Sequence, residues 1–411
     1  MISIKTKIYF DNDVVKKYSK EFLCCGKNAL IITGHSSEKN GALDDVKEVL
    51  ASQNITFTIF NEVEENPSIE TVMKGRYFGL KNNCDFLVAI GGGSIMDAAK
   101  AIAIMMRNAD KGAEFLYDEG SHSSPVQSGS HSSPVQSGSH SSPVQSGSHS
   151  SPVQSGTHNS TARSRELREW QPSPLYSSPA LEIIAIPTTC GSGAEVTGNA
   201  VLTIHKKQTK GSAVHKQFPK VAMIDGKYIL NAPSSIIKRT SLDALAHLIE
   251  SYVNTKATLW TRQFAEMGMK LWVKTKKYLA NEESITHDIC NYLMMSSTYA
   301  GICISHTGTS IPHRLSYRVT YGDKLSHGTA VAYFLANFLD ECEEKNEVLK
   351  LIDFNSIQDF KEFINKVIGD VKVDKELIEK GIDEILLNEK ILNSVKFKVT
   401  KDILYKIGKL K

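Results

Sequence analysis

Hydrophobic positions along this chain fall into two rhythms. From residue 28 to about 225, short apolar runs recur between longer amphipathic stretches. NALIITG (28–34), TFTIF (56–60), DFLVAIGGG (85–93) and LEIIAIPTT (181–189) read as strands, several of them buried. AVLTI near 200 and KVAMID near 220 read as two more. Strands alternating with helices predict a parallel sheet wound with helices. After residue 231 the period lengthens. TRQFAEMGMKLWVKTKKYLA and ITHDICNYLMMSSTYAGICI have helical spacing, and no later segment reads as a strand. The pattern predicts an α/β domain over residues 1–230 and an all-helical domain over 231–411, with a cleft between them of the kind ligands favour.

One segment fits neither rhythm. Residues 120–156 repeat the nine-residue unit GSHSSPVQS four times, and valine is its one apolar residue. Such a unit has too little apolar surface to offset chain entropy, and too short a period for a helical solenoid. With the Pro- and Ser-rich stretch that follows, roughly 120–178 reads as a disordered insertion. Its near-perfect repetition points to recent duplication or a mistaken gene model. His122, His131, His140, His149 and His158 recur there with nothing to fix a ligand geometry.

Composition narrows the classes. The 411 residues are 41% hydrophobic and 23% charged, with a formal net charge of +3. That small, dispersed excess argues against a nucleic-acid partner. The opening MISIKTKIYFDNDVV lacks a long apolar core, so it does not read as a signal peptide. No run of about 18 apolar residues is present to span a membrane. Seven cysteines, including the adjacent Cys24 and Cys25, show no CxxC spacing and read as reduced thiols of a cytoplasmic protein. Cys190 lies in a loop of interest but reads as structural.

Three stretches carry candidate chemistry. In VAIGGGSIMDAAK (88–100) a strand runs through three glycines into a helix opening at Ser94, with Asp97 at a capping-box position. Bare backbone and a helix N-terminus suit a phosphate, although a tight turn without ligand has the same pattern. AIPTTCGSGAEVT (185–197) ends a buried strand in small polar residues, where open α/β sheets line their ligand crevice. In TSLDALAHLIESY (240–252), Asp243 and His247 stand four apart on a largely apolar helix. Taken alone, that spacing favours a hydrogen-bonded pair over half of a metal site. Further ligands are available in SIPHRLSYRVTYGDKLSHG, at His313 and His327.

Together, GGGSIMDAAK, IPTTCGSGAEVT, DALAH, IPHRLSY and SHG, in this order, resemble the iron-containing alcohol dehydrogenase family. The resemblance covers the chain apart from the insertion. It implies a dinucleotide-binding domain followed by a helical metal-binding domain, a dehydroquinate synthase-like plan. It implies Asp243, His247, His313 and His327 as ligands to Fe2+ or Zn2+, and hydride transfer between a primary alcohol and NAD or NADP. The pyrophosphate would rest on Gly92, Gly93 and Ser94, with Asp97 close by and Thr188, Thr189 and Ser192 on the nicotinamide side. Asn66, in EENPS, and Lys210 match further cofactor positions. A cytoplasmic homodimer with a small alcohol or aldehyde as substrate is implied as well. Zinc-dependent glycerol dehydrogenases and dehydroquinate synthases are related alternatives, and a non-catalytic scaffold is a third. The chain departs from many relatives at Ser241, Arg314 and Arg318, and has Tyr317 where some carry a second histidine thought to relay protons. Arg314 and Arg318, one turn apart beside His313, are expected to face solvent or pair with Asp323; the other reading is that they fork onto a substrate carboxylate.

Overall fold

The computed structural model describes residues 3–34, 37, 39–117, 180–207 and 209–410. The repeat segment and its histidines lie outside the described residues.

Six strands form one parallel sheet: β1 (Lys7–Phe10), β2 (Asn28–Thr33), β3 (Thr56–Phe60), β4 (Phe86–Gly91), β5 (Ile183–Pro187) and β8 (Val221–Ile224), in the order β1-β8-β5-β4-β2-β3. The apolar runs of the four inner strands, β2, β4, β5 and β8, are continuous because both faces are covered, as parallel sheets require. Leu30, Leu87 and Ile183 point into one core; their chain neighbours Ile31, Val88 and Ile184 point into the other. Helices of eleven residues or more are numbered here, the shortest being α1 (Ala42–Ser52). It covers one face through Leu43, Val46 and Leu50. α2 (Ile69–Lys81) and α3 (Gly93–Arg107) cover the other.

Two strands depart from the expected plan. β6 (Val201–Ile204), the predicted AVLTI strand, does not join the wound sheet: it pairs antiparallel with β7 (Thr209–Ser212) as a separate hairpin. β1 was not evident in the sequence, because KIYF at the sheet edge is exposed to half-buried and lacks the fully apolar signature.

From Lys227 onward every regular element is a helix. α4 (Ser234–Val253) is the axis of this half, buried at every position from Ser241 to Val253, as expected of a helix apolar on all sides. Around it pack α5 (Leu259–Val273), α6 (His287–Thr307) and α8 (His327–Asp340). α7 (Ile311–Gly322) lies against α8 and α10 (Lys375–Leu386), and α9 (Ile357–Ile368) packs on α8. Among the described residues no helix is long and apolar enough to cross a membrane.

Candidate metal and nucleotide site

The glycine turn forms as its sequence predicts, with one correction. α3 starts at Gly93 with Gly92 as its cap, and no side chain caps it. Asp97 does not close a capping box. Its carboxylate turns to the hairpin, accepting from Val201 N at 3.0 Å and standing 3.3 Å from Lys100 Nζ. Lys100 is fully buried and donates to Thr197 Oγ1 at 3.1 Å and to the Asn199 carbonyl at 2.9 Å. Burial pushes the Asp97 carboxyl up and the Lys100 ammonium down, so each is the other's compensation. The pair fixes the hairpin on the glycine-turn helix.

Opposite the turn lies the loop after β5. Thr188 N donates to the Gly91 carbonyl at 3.0 Å. A Cβ on Gly92 would stand 2.9 Å from the Thr189 side chain, and one on Gly93 2.8 Å from Ser192 Oγ, so the two loops close on each other where side chains are absent. Asn66, in the left-handed region at φ 61°, donates its backbone N–H to Ser94 Oγ at 3.0 Å. Its side-chain carbonyl accepts from Lys210 Nζ at 2.6 Å, and its main-chain carbonyl from Thr203 Oγ1 at 2.8 Å. The structure therefore brings Asn66, Gly92, Gly93, Ser94, Thr188, Thr189, Ser192 and Lys210 into one neighbourhood. Asp97 serves it from behind. Lys210 is buried, and burial lowers its pKa to about 8.

The same loop reaches the helical half. Cys190 Sγ lies 3.3 Å from Thr240 Oγ1 on α4, and burial pushes its thiol up to about 12, which keeps it protonated and unreactive. Beyond it, Asp243 on α4, His313 near the start of α7 and His327 at the start of α8 offer ligand atoms that all lie within 4.8 Å of one another. Asp243 Oδ1 is 3.4 Å from His313 Nε2 and 3.6 Å from His327 Nε2. Asp243 Oδ1 and His313 Nε2 are buried with no hydrogen-bond partner. His247 stands beside this trio, its ring stacked on His313 at 4.2 Å and its Nδ1 buried without a partner.

Electrostatics follow from this crowding. Burial alone raises the Asp243 carboxyl, but the imidazoles of His247, His327 and His313 outweigh it and hold the group well below the usual carboxylate range. Burial, then the charge of His313, lowers His247 to about 4; burial is also the main reason His327 falls to about 3. Burial opposes charge on His313 too, but Glu250 and Asp243 prevail and raise it to about 10.

Glu250 is the residue that sequence reading missed. It is fully buried, three residues after His247 on the same face of α4. His313 Nδ1 donates to its Oε1 at 2.8 Å, and Ser310 N donates to its Oε2 at 2.7 Å. One carboxylate thus fixes both the ring of His313 and the start of α7, leaving His313 Nε2 directed at Asp243. A carboxylate one turn beyond DALAH was the available signal.

The two arginines beside His313 are paired within the fold, with Glu384 rather than Asp323 as the acid. Arg318 Nε donates to Glu384 Oε1 of α10 at 2.7 Å, and Arg314 stands 3.7 Å from the other oxygen of Glu384. Their charge is answered within the fold. Tyr317 lies between them, its ring 6.4 Å from that of His327, and burial raises its hydroxyl to about 12.

A glycine turn on a parallel sheet, joined through one loop to a helical array with a buried carboxylate–imidazole cluster, is the architecture of a dehydrogenase in two halves. Comparison with known proteins makes the assignment narrower. A family profile described as iron-containing alcohol dehydrogenase matches residues 5–132 and 157–226, and that of the family's C-terminal part matches 237–398. The chain is 25% identical over 370 residues to alcohol dehydrogenase 4 of Schizosaccharomyces pombe, covering 87% of this chain and 74% of that one. It is 26% identical over 304 residues to an NAD-dependent methanol dehydrogenase of Bacillus methanolicus, covering 74% of this chain and 65% of that one. A solved structure, an iron-containing alcohol dehydrogenase from Thermotoga maritima, superposes with a TM-score of 0.79 at 26% identity, covering 100% of this chain and 98% of that one. The chain belongs to the iron-containing alcohol dehydrogenase family, a family of oxidoreductases acting on alcohols and aldehydes.

Proposed function

We propose that the protein interconverts a small primary alcohol and its aldehyde with NAD or NADP, using one divalent ion held by Asp243, His313, His327 and His247. The convergence of buried, unpartnered donors carries this reading. Metal–ligand bonds of about 2.1 Å separate tetrahedral donors by about 3.4 Å, and the Asp243 contacts to His313 and His327 measure 3.4 and 3.6 Å. A carboxylate with imidazoles suits iron(II) and zinc alike. A bound ion would supply Lewis acidity toward an alcohol or carbonyl oxygen, and a bound nicotinamide would supply the hydride chemistry.

The chain's own residues do the placing. Gly92, Gly93 and Ser94 offer backbone and hydroxyl to a pyrophosphate at the start of α3. Thr189 and Ser192 face Gly92 and Gly93 across the turn, with Thr188 bonded to Gly91, where the nucleotide would pass. Lys210 and Asn66, bonded to each other, hold the intervening position. Glu250 orients His313 and keeps its Nδ1 engaged, which is how outer carboxylates commonly steady a ligating imidazole. The nucleotide half takes in residues 1–230 and the metal half 231–411, a division supported by the last strand ending at Ile224 and α4 starting at Ser234.

Asp243→Ala and His327→Ala provide the test. Wild-type protein is expected to carry close to one iron or zinc per chain and to reduce NAD or NADP with a short alcohol, and both variants to lose metal and activity together. Full metal content with full activity in both variants overturns the assignment.

A further inference from the structure

A cavity of about 290 Å³ is lined by Glu65, Asn66, Arg239, Thr320, Lys324 and Ser326. Its position is set by the metal-side elements. Arg239 precedes Asp243 by four residues on α4, about 6 Å along the axis. Ser326 is the residue before His327. A Cβ on Gly328, the residue after His327, would meet the Arg239 carbonyl at 2.0 Å and the Asp243 side chain at 3.4 Å, so the Arg239 end of the cavity adjoins the cluster.

The charges lining this cavity differ from other cations nearby. Lys210 bonds Asn66, Lys100 faces Asp97, and Arg314 and Arg318 face Glu384. Among the described residues, Arg239 and Lys324 have no side-chain hydrogen bond and no ion pair. Lys324 is also held at φ 56°, just past the end of α7, a position where glycine is the comfortable residue. Burial does not force a lysine there: its side chain is exposed. Glu65 is the single acid on the lining, so the cavity keeps a net positive charge.

We propose that this cavity is a substrate subsite for an anionic group, and that the preferred substrates are short ω-hydroxy acids and the matching aldehyde acids. The carboxylate sits between Arg239 and Lys324, with the hydroxyl at the Asp243–His313–His327 cluster. The proposal rests on the reading of that cluster as the reacting centre. It assigns the carboxylate recognition considered for Arg314 and Arg318 to a different pair of cations.

The test compares kcat/KM of the metal-loaded enzyme on ω-hydroxy acids of roughly three to six carbons with diols of the same length. Wild type is expected to favour the acids. Arg239→Gln and Lys324→Gly are each expected to lower the acid-to-diol ratio by about tenfold or more, a typical loss for a charge-assisted contact. Glu65→Gln is expected to raise the ratio, and the surface variant Lys380→Ala to leave it unchanged. Lys324→Gly removes left-handed strain, so a misfolded variant does not confuse the result. Glutarate, followed by the thermal shift it causes, reads the cation pair without turnover: wild type gains stability and Arg239→Gln does not. Glutarate binding with neither metal nor turnover sinks the metal-site reading and leaves the anion subsite standing. An unchanged ratio in both cation variants, a loss confined to the coenzyme KM, or no glutarate effect in wild type overturns the subsite.

Discussion

Lys210 illustrates what one residue contributes. Its ammonium is buried, and burial lowers its pKa to about 8 from 10.5. Between those values the unfolded chain binds the proton and the folded protein does not, so folding stability rises with pH across that window and the contribution is lost as pH falls through about 8. The slope approaches about 1.4 kcal/mol per pH unit at most. Chemical denaturation at pH 8, 9 and 10 is expected to show this rise in wild type relative to Lys210→Met. Parallel pH profiles in the two proteins would contradict it. Legibility at this scale was uneven. DALAH marked Asp243 and His247 because charged residues on an apolar helix stand out. Glu250 did not stand out, because its role depends on His313, sixty-three residues away. Asp97 looked like a cap from its spacing alone, and the hairpin that claims its carboxylate is a tertiary partner no local pattern reveals.

At the scale of elements, the cluster depends on how closely α8 approaches α4. A Cβ on Gly328 would stand 2.0 Å from the Arg239 carbonyl, backbone against backbone, with no flexible atom to yield. Gly328→Ala is expected to push the start of α8 and His327 away. The cost should be about 1–3 kcal/mol in stability, with a fall in bound metal. Gly381→Ala serves as control, since a Cβ there meets Leu315 at an ordinary 3.4 Å. Equal unfolding midpoints and metal contents in the two variants would remove the argument. The helices themselves were readable from period and burial, and so were the buried strands. The hairpin strand β6 was seen as a strand but placed in the wrong sheet. Four apolar residues specify a strand, while partner choice is set by Pro67, Asn66 and Asp97, which bond to it from elsewhere in the chain.

For the whole molecule, the described fold is continuous across the insertion site. Leu181 N donates to the Ala103 carbonyl at 3.3 Å and Val214 N to the Leu116 carbonyl at 2.9 Å, so both flanks are tied into it. The family profile passes over residues 133–156. Replacing 120–178 by a short Gly/Ser link is expected to leave activity within about threefold, because these bonds hold both flanks in the fold. Insoluble or inactive protein after this deletion would show that the fold needs the segment.

The donors on α4, α7 and α8 are 70 and 14 residues apart along the chain. On the proposed metal reading, an ion gripping all three would bind the folded state and not the denatured ensemble. Mass action then ties the folding equilibrium to free ion concentration, by about 1.4 kcal/mol for each tenfold increase above the dissociation constant. Thermal midpoints are then expected to rise from metal-poor to metal-replete buffer, reporting the ion's chemical potential as much as the sequence; equal midpoints would contradict the site. Ranking variants of this protein by stability requires that potential to be held fixed.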